Sequence, residues 1–318
     1  MYKSIYVPVD NSEHSNTAVE LSVSLGKQFE ASLVGSHIYA AKLHDVRFKQ
    51  MEFTLPEEYK EETELEKQRK IHDALIARGL KLISDCYLNT MDELATEAGV
   101  PFVRKHSDGR NFECIVDDLE ELESDLLILG ALGQGAVKYS QAGSVCERVL
   151  RRTAVDTFVI RDPETNGQLG GEGRIVVCMD GSARSYNALR SACAISSVSG
   201  NRPIQILGVT GENIYEQEIL AAHLDLARDF VVRQQIDVNV TLLNGATVET
   251  VLTALNENTP WLVAVGRDGL DAEQDSNEIG SLVEALIRTS PCNVLIAAGT
   301  VDNAEIQGVS GESAAANL

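Results

Sequence analysis

The sequence predicts an α/β protein made of two tandem copies of an open, mostly parallel five-stranded sheet with helices on both faces. A length of 318 residues suits about two domains of roughly 150 residues each. Short apolar runs alternate with amphipathic segments, and near-continuous apolar strands are typical of parallel sheets that are covered on both faces. The third observation is an internal repeat, which predicts that one folding unit is present twice.

The repeat begins at the N-terminus. Residues 4–18 (SIYVPVDNSEHSNTA) align with residues 174–188 (RIVVCMDGSARSYNA) at a constant offset of 170, and Asp10 thereby matches Asp180. Further along the chain the offset falls to 136, and two pairs of glycines match, Gly130 with Gly266 and Gly133 with Gly269. The first copy therefore contains about 34 extra residues, and the charged helical stretch near 42–76 is the predicted insertion.

Strands and helices alternate within each copy. Ser12 is a predicted N-cap for a helix that runs to about Phe29, and Glu and Lys at helical spacing predict an exposed helix over 57–70. The other predicted helices of the first copy lie near 72–98, 111–123 and 144–152. Its predicted strands are IYVPV, ASLVGSHIYA, PFVRKH, DLLILG and TFVIR, and those of the second copy after RIVVC are IQILGVT, VNVTLL, WLVAVG and NVLIA.

These elements predict the domain boundaries. We expect a first domain over 1–162, a polar, glycine-rich linker over 163–173, a second domain over 174–299 and a disordered tail over 300–318. An apolar edge strand needs to be covered, so we expect TFVIR and NVLIA to pair where the two copies meet within the chain.

Composition excludes several classes of function. A net charge of −21 argues against binding to nucleic acids and to anionic membrane surfaces. No apolar run reaches the length of a membrane span, the N-terminus reads as a strand rather than a signal peptide, and the six cysteines are scattered. The histidines show no metal-ligand spacing. We expect a cytoplasmic protein with reduced thiols.

Glycines concentrate in the stretch GALGQGAVKYSQAGS, Gly130 to Ser144, between a predicted strand and a predicted helix. In open parallel sheets, ligands bind beyond the carboxyl ends of strands, and a loop without Cβ atoms lets backbone N–H groups approach an anion. The stretch is neither a Walker loop nor a dinucleotide fingerprint. It therefore favours phosphate binding, with a purely structural glycine-rich connection as the alternative.

The spacing G130-x2-G133-x9-G143-S144 resembles the ATP-binding signature of the universal stress protein family. The opening YKSIYVPVDNSEHS and the closing strand TFVIR also resemble this family, and the resemblance covers both repeats, like its tandem members. It implies an adenine-nucleotide alpha-hydrolase-like fold and ATP, accompanied by Mg²⁺, in the first copy.

The resemblance also implies roles for individual residues. Asp10 would hold the adenosine end of ATP, although a turn or helix-cap role is its alternative. Around the adenine and the phosphates it implies Pro8, Val9, His37, Ile38, Gly130, Gly133, Gly143, Ser144, Val145 and Cys146. The sequence departs from the family at Asn11, where glycine is usual, and at Ala131-Leu132, where a polar pair is usual. The apolar Leu132 would cover the ligand or pack against a partner.

The second copy has an acidic loop, GRDGLDAEQDSNEIGS, at the corresponding place. Two like unit charges 4 Å apart repel by about 4 kcal/mol at a surface dielectric, so these carboxylates oppose a triphosphate. Arg267 supplies one positive charge there against five acids. We expect this site to be degenerate, and a divalent cation site is the alternative.

Together these features favour an ATP-binding stress-response or signalling protein whose nucleotide regulates contacts with an unidentified protein partner. A slow ATPase and a ligand-free structural regulator with a vestigial site are the alternatives, since no histidine or acid lies from Gly130 to Cys146 to act as a catalytic base. A homodimer is possible, and the charged insertion is a candidate lid or partner surface.

Overall fold

The computed structural model describes residues 1–39, 49–134, 142–164, 169, 172–270 and 278–299. The first copy contains β1 (Ser4–Pro8), α1 (Glu13–Phe29), β2 (Ser32–Tyr39), α2 (Glu62–Ala98), β3 (Phe102–Asp108), α3 (Asn111–Glu121), β4 (Leu126–Gly130), α4 (Ser144–Leu150) and β5 (Asp156–Ile160). The second copy contains β6 (Ile175–Cys178), α5 (Ala183–Val198), β7 (Ile204–Thr210), α6 (Ile214–Arg233), β8 (Val238–Asn244), α7 (Thr247–Glu257), β9 (Leu262–Gly266), α8 (Ser281–Thr289) and β10 (Asn293–Ala297).

The first helix of each copy begins with the same cap. The Ser12 hydroxyl accepts a hydrogen bond from the Ser15 backbone N–H before α1, and Ser182 does the same for Ser185 before α5. Such a side chain satisfies one of the amide groups that the first turn of a helix leaves without a partner. The predicted caps position the chain where it leaves β1 and β6.

The strands of both copies form one sheet in the order β3-β2-β1-β4-β5-β10-β9-β6-β7-β8. All neighbours are parallel except β5 and β10, which pair antiparallel with Phe158 opposite Leu295. The pairing predicted between the two closing strands is therefore present, and it joins two five-stranded halves. The predicted fold class is confirmed.

Helices cover both faces of this sheet, and an apolar core lies under each layer. Ile5, Leu126 and Phe158 point into one core, whereas Tyr6, Leu127 and Val159 point into the other, as strand alternation requires. Both cores continue across the β5–β10 junction into the second copy. Burial on both faces explains why these strands read as continuous apolar runs.

A buried carboxylate lies at the junction of the two copies. Asp156, at the start of β5, accepts hydrogen bonds from the Tyr2 hydroxyl at 2.9 Å and from Ser191 of the second copy at 3.0 Å. The backbone N–H of Ala298 donates to it as well, at 3.0 Å. Because a buried charge requires such partners, this cluster specifies how the two copies meet.

Helix α2 differs from the prediction of two separate helices near 57–70 and 72–98. It is one helix of 37 residues that begins at Glu62. Residues 49–52 form a separate helical turn before it, and a 3₁₀ turn follows at Glu57–Tyr59. No proline interrupts the segment, and Arg69 pairs with Glu62 in the first turn of the helix and with Glu52 in the segment before it. Three segments lie outside the described residues: residues 40–48, most of the predicted linker and the tail from 300. The predicted insertion begins in the first of them. None of the described helices has the length and apolarity needed to cross a bilayer.

Candidate functional site

In each copy, loops gather where the strand order reverses. The chain passes from β1 to β2 and β3 on one side, and β4 returns to pair with the other side of β1. Asp10 follows β1 and the glycine stretch follows β4, so the two meet at this switch point. It is the place where open parallel sheets bind ligands.

Asp10 connects the turn after β1 to the glycine loop. Its Oδ1 accepts the Ser12 backbone N–H at 3.0 Å, and its Oδ2 accepts the Gln134 backbone N–H at 2.9 Å. Asn11, at the position where the resemblance leads one to expect glycine, has a φ of 60°, which Asn tolerates better than most residues. The turn role weighed for Asp10 is thus present, and its carboxylate also lies against the predicted phosphate loop.

Each predicted glycine lies where a side chain would collide. A Cβ on Gly133 would lie 2.4 Å from Oδ2 of Asp10, and one on Gly130 would lie 2.9 Å from Cβ of His14. A Cβ on Gly143 would lie 3.0 Å from the Ala131 carbonyl oxygen, to which the Gly143 backbone N–H donates at 2.7 Å. This hydrogen bond closes the base of the loop. A side chain at any of the three positions would therefore force a neighbouring group to shift.

The residues predicted to flank the adenine line the ends of β1 and β2. Pro8 and His37 are partly exposed, whereas Val9 and Ile38 are 6% and 9% exposed. His37 Nδ1 lies 2.6 Å from Oγ of Ser84, and its ring meets the Tyr87 ring edge to face. Burial lowers the pKa of His37, although Asp10 opposes this shift. A neutral, fixed imidazole therefore lies beside the switch point at pH 7.

The start of α4 presents a mixed set of groups. Ser144 is exposed and Val145 is partly exposed, so both remain accessible beside the loop. Cys146 is 1% exposed, and burial raises the pKa of its thiol to about 12. Its side chain packs into the core, so the first turn of α4 can offer its backbone N–H but not its thiol. Leu132 is partly exposed, and its carbonyl accepts the Ser12 hydroxyl at 3.3 Å.

Three residues near the site were not found from the sequence. His14 lies beside Gly130, so a histidine lies against the loop although none occurs in the sequence from Gly130 to Cys146. Burial lowers the pKa of the His14 imidazole. Ser84 and Tyr87 reach His37 from α2. Helical spacing placed these two residues on α2, but no sequence signal indicated which side of the sheet it covers.

In the second copy, the glycine loop is held by its own side chains. Asp268 stands at the position of Leu132 and forms an ion pair with Arg184, which stands at the position of His14. Gly280 closes the loop base by donating its backbone N–H to the Arg267 carbonyl at 2.9 Å. The backbone scaffold is thus repeated, while an internal carboxylate takes the place of an apolar side chain.

Arg267 does not offset the acidic loop as its position in the sequence led us to expect. Its guanidinium donates to the backbone carbonyls of Thr153 and Arg151 (2.9 Å for Arg151), in the first copy, and the residue is 9% exposed. The arginine thus serves the junction between the copies. Within the part of the chain that the structure describes, no group of three His, Cys, Asp or Glu side chains could hold a metal ion, and Asp271, Glu273 and Asp275 lie outside that part.

The first-copy site has groups that suit a nucleotide. Glycines let the loop backbone lie close to Asp10, Ser144 is exposed, and apolar side chains together with a neutral imidazole line the neighbouring strand ends. Carboxylate oxygens such as those of Asp10 accept hydrogen bonds from ribose hydroxyls. The residues present fit ATP, and Mg²⁺ would be held mainly by the phosphates.

Fold and site together define a doubly wound α/β protein in tandem form, with polar loops at both switch points. The Universal stress protein family matches residues 1–161 and 172–298, and the chain belongs to this family.

Several relatives support this assignment. A universal stress protein of Methanocaldococcus jannaschii is 27% identical over 165 residues, which is 52% of this chain and 85% of that protein. A putative universal stress protein of Staphylococcus saprophyticus is 25% identical over 165 residues, covering 51% of this chain and 86% of that one. A solved universal stress protein of Archaeoglobus fulgidus has a TM-score of 0.65 at 18% identity and covers 92% of this chain and 97% of its own. This last likeness shows the fold.

Proposed function

We propose that this protein binds one ATP per chain in the first copy and that the nucleotide regulates its contacts with other proteins in a stress or signalling response. The observation that carries the proposal is the meeting of Asp10 with the glycine loop at the first switch point. In the second copy Asp180 also lies beside the glycine loop, but an ion-paired Asp268 takes the position of Leu132 and adds a carboxylate there. The asymmetry favours a single working nucleotide site.

The chain's own groups divide the work of binding. Asp10 and the ends of β1 and β2 would orient the nucleoside, with neutral His37 stacked at its flank. Gly130, Gly133 and the first turn of α4 would surround the phosphates with backbone N–H groups, which bind anions without a large positive charge. Bound ATP would supply the negative charge that these N–H groups bind. A loop that also contacts a ligand would present a different surface from a loop held by the chain's own groups, and this difference would act as the signal.

The ends of the glycine loop connect the site to the second copy. Glu147 of α4 accepts a hydrogen bond from Arg288 of α8 at 2.8 Å, and Arg151 lies 3.3 Å from Glu284. A nucleotide that orders the start of α4 would therefore also bias α8. Exposed ion pairs of this kind contribute little to stability, about 0–1 kcal/mol each, so they permit rather than prevent such a shift.

Nucleotide content provides the test. Gently purified protein is denatured, and the adenine nucleotides released are identified and counted per chain by mass spectrometry. Gly143→Val is the disabling variant, because its Cβ would lie 3.0 Å from the Ala131 carbonyl oxygen. Gly280→Val is the matched control, because it makes the corresponding change in the second copy. Circular dichroism establishes that both variants fold.

We expect about one ATP or ADP per chain, lost in Gly143→Val and retained in Gly280→Val. Two nucleotides per chain would refute the single-site assignment. No nucleotide, together with no heat of binding when Mg-ATP is added, would favour the ligand-free regulator instead. Steady release of phosphate from added ATP would favour the slow ATPase, for which His14 is the histidine closest to the loop among those described.

A further inference from the structure

A large cavity lies at the second switch point. Its volume is about 1020 Å³, and it opens beyond the carboxyl ends of β6, β7 and β9, between α6 and α8. Ligand pockets for small molecules typically span about 300–1,000 Å³, so this cavity has room for a ligand of drug size. It occupies the position in the second copy that the proposed ATP site occupies in the first.

This cavity has a mixed lining, with apolar side chains on its floor and polar or charged groups around them. Cys178, Leu207 and Val265 come from β6, β7 and β9 and are at most 7% exposed, so they form an apolar floor. Around the opening, Ile219 is 47% exposed and Leu270 is 67% exposed. Exposed apolar side chains at the edge of a cavity with an apolar floor favour a ligand with an apolar body of its own.

The charged groups of the cavity are all of one sign. Asp180, Glu216, Asp268 and Glu278 line it, and none of the described lining residues is lysine, arginine or histidine. The ion pair with Arg184 neutralises Asp268, which leaves three carboxylates. The N-terminus of α8 also faces the cavity at Gly280 and Ser281, but a helix end contributes only about half a positive charge. The remaining negative charge decides which ligands can enter.

The position of Asp180 is fixed. Its Oδ1 accepts the Ser182 backbone N–H at 2.9 Å and the Ser182 hydroxyl at 2.6 Å. Its Oδ2 faces the glycine loop, since a Cβ on Gly269 would lie 3.0 Å from it. A carboxylate whose orientation is set in advance loses little entropy on binding, which is the condition for a specific charge contact.

We propose that the second copy binds an amphipathic organic cation in this cavity, with its apolar body on the floor and its ammonium group beside Asp180. The cation offsets the carboxylates that oppose a triphosphate, and burial of an apolar body on the floor favours an organic cation over a small hydrated one. The second copy is then a site for a ligand of opposite charge to that proposed for the first. This assignment does not depend on ATP binding in the first copy.

Three pyrene derivatives with the same apolar body test the charge preference. Pyrenemethylammonium, pyrenemethanol and pyrenecarboxylate are titrated into the full chain, and binding is followed by pyrene fluorescence. We expect the ammonium compound to bind most tightly, the alcohol more weakly and the carboxylate least. Equal affinities for the ammonium compound and the carboxylate, or no binding of any of the three, would overturn the proposal.

A matched pair of variants locates the site. Asp180→Asn keeps an acceptor for the Ser182 backbone N–H and removes the charge. We expect it to lower the affinity for the ammonium compound about fivefold or more. Asp10→Asn makes the same change at the corresponding position of the first copy and should leave that affinity unchanged. Equal weakening by both variants would mean that the cation responds only to the net charge of −21. Nucleotide content, measured on the same samples, keeps failure of this proposal separate from failure of the ATP site.

Discussion

Replacing Gly133 with alanine tests whether Asp10 and the glycine loop act as one unit. The new methyl carbon would lie 2.4 Å from Oδ2 of Asp10, well inside van der Waals contact. The carboxylate must move, which breaks its hydrogen bond with the Gln134 N–H, now 2.9 Å long. The matched control is Gly269→Ala, whose methyl would lie 3.0 Å from Oδ2 of Asp180, a distance that a shift of a few tenths of an ångström relieves.

The expected magnitudes follow from these distances. A hydrogen bond to a charged group contributes about 1.5–3 kcal/mol, and Gln134 is exposed, so the lower end applies. Alanine in place of glycine restores about 0.4–1 kcal/mol by restricting the unfolded chain. We therefore expect Gly133→Ala to lower the free energy of unfolding by about 1 kcal/mol and Gly269→Ala to leave it unchanged or slightly higher.

Urea unfolding followed by circular dichroism measures these differences, and a fluorescent ATP analogue measures nucleotide affinity, which we expect to fall about tenfold or more in Gly133→Ala. Asp10→Ala removes the group with which the methyl collides. The double variant Asp10→Ala with Gly133→Ala should therefore lose less free energy of unfolding than the sum of the losses in the two single variants. Additive effects, or a Gly133→Ala protein as stable and as tightly binding as Gly269→Ala, would refute the coupling of Asp10 to the loop.

Three further predictions concern the junction, the titration and the thiols. Arg267→Leu should lower the free energy of unfolding by about 2 kcal/mol in urea because two carbonyls of the first copy lose their donor, whereas the exposed Arg78→Leu should not. Burial lowers the pKa of His37 in the folded protein, so below about pH 6.5 the unfolded chain binds a proton at this residue more readily than the folded chain does. The free energy of unfolding should therefore be lower at pH 5.5 than at pH 7.5, and the difference should be smaller in His37→Gln. Iodoacetamide should modify exposed Cys86 in the native protein and buried Cys146 only after denaturation, as intact mass would register.

The internal repeat allowed most of the fold to be predicted. Equivalent strands and caps follow from matched positions such as Ser12 and Ser182, and both caps are present. The pairing of β5 with β10 followed from the apolarity of two closing strands. The start of α2 did not follow, because Glu and Lys at helical spacing are compatible with one long helix or two shorter ones.

The site was predictable where backbone geometry decides and not where a side chain has a choice of directions. Glycines and the residue after a strand are placed by local rules, so Asp10 and Gly133 meet as expected. Arg267 could have turned towards the acidic loop or towards the junction, and its contacts with the first copy depend on the turn after α4, more than a hundred positions earlier in the sequence. Cys146 lies on a helix whose inward face is set by the core, which one sequence cannot reveal at that position.

The antiparallel contact between β5 and β10 has a consequence for how the two sites can change. Two separate subunits that met through this strand would form an isologous interface with twofold symmetry, in which every substitution occurs twice. Fusion into one chain removes that constraint, since each half is encoded on its own. Leu132 and Asp268 stand at equivalent positions of the two copies and differ in kind. A change at one of them can thus alter one site while the other site keeps its chemistry. Covalent linkage thus turns a symmetric pair into an asymmetric one without changing the interface that holds it together.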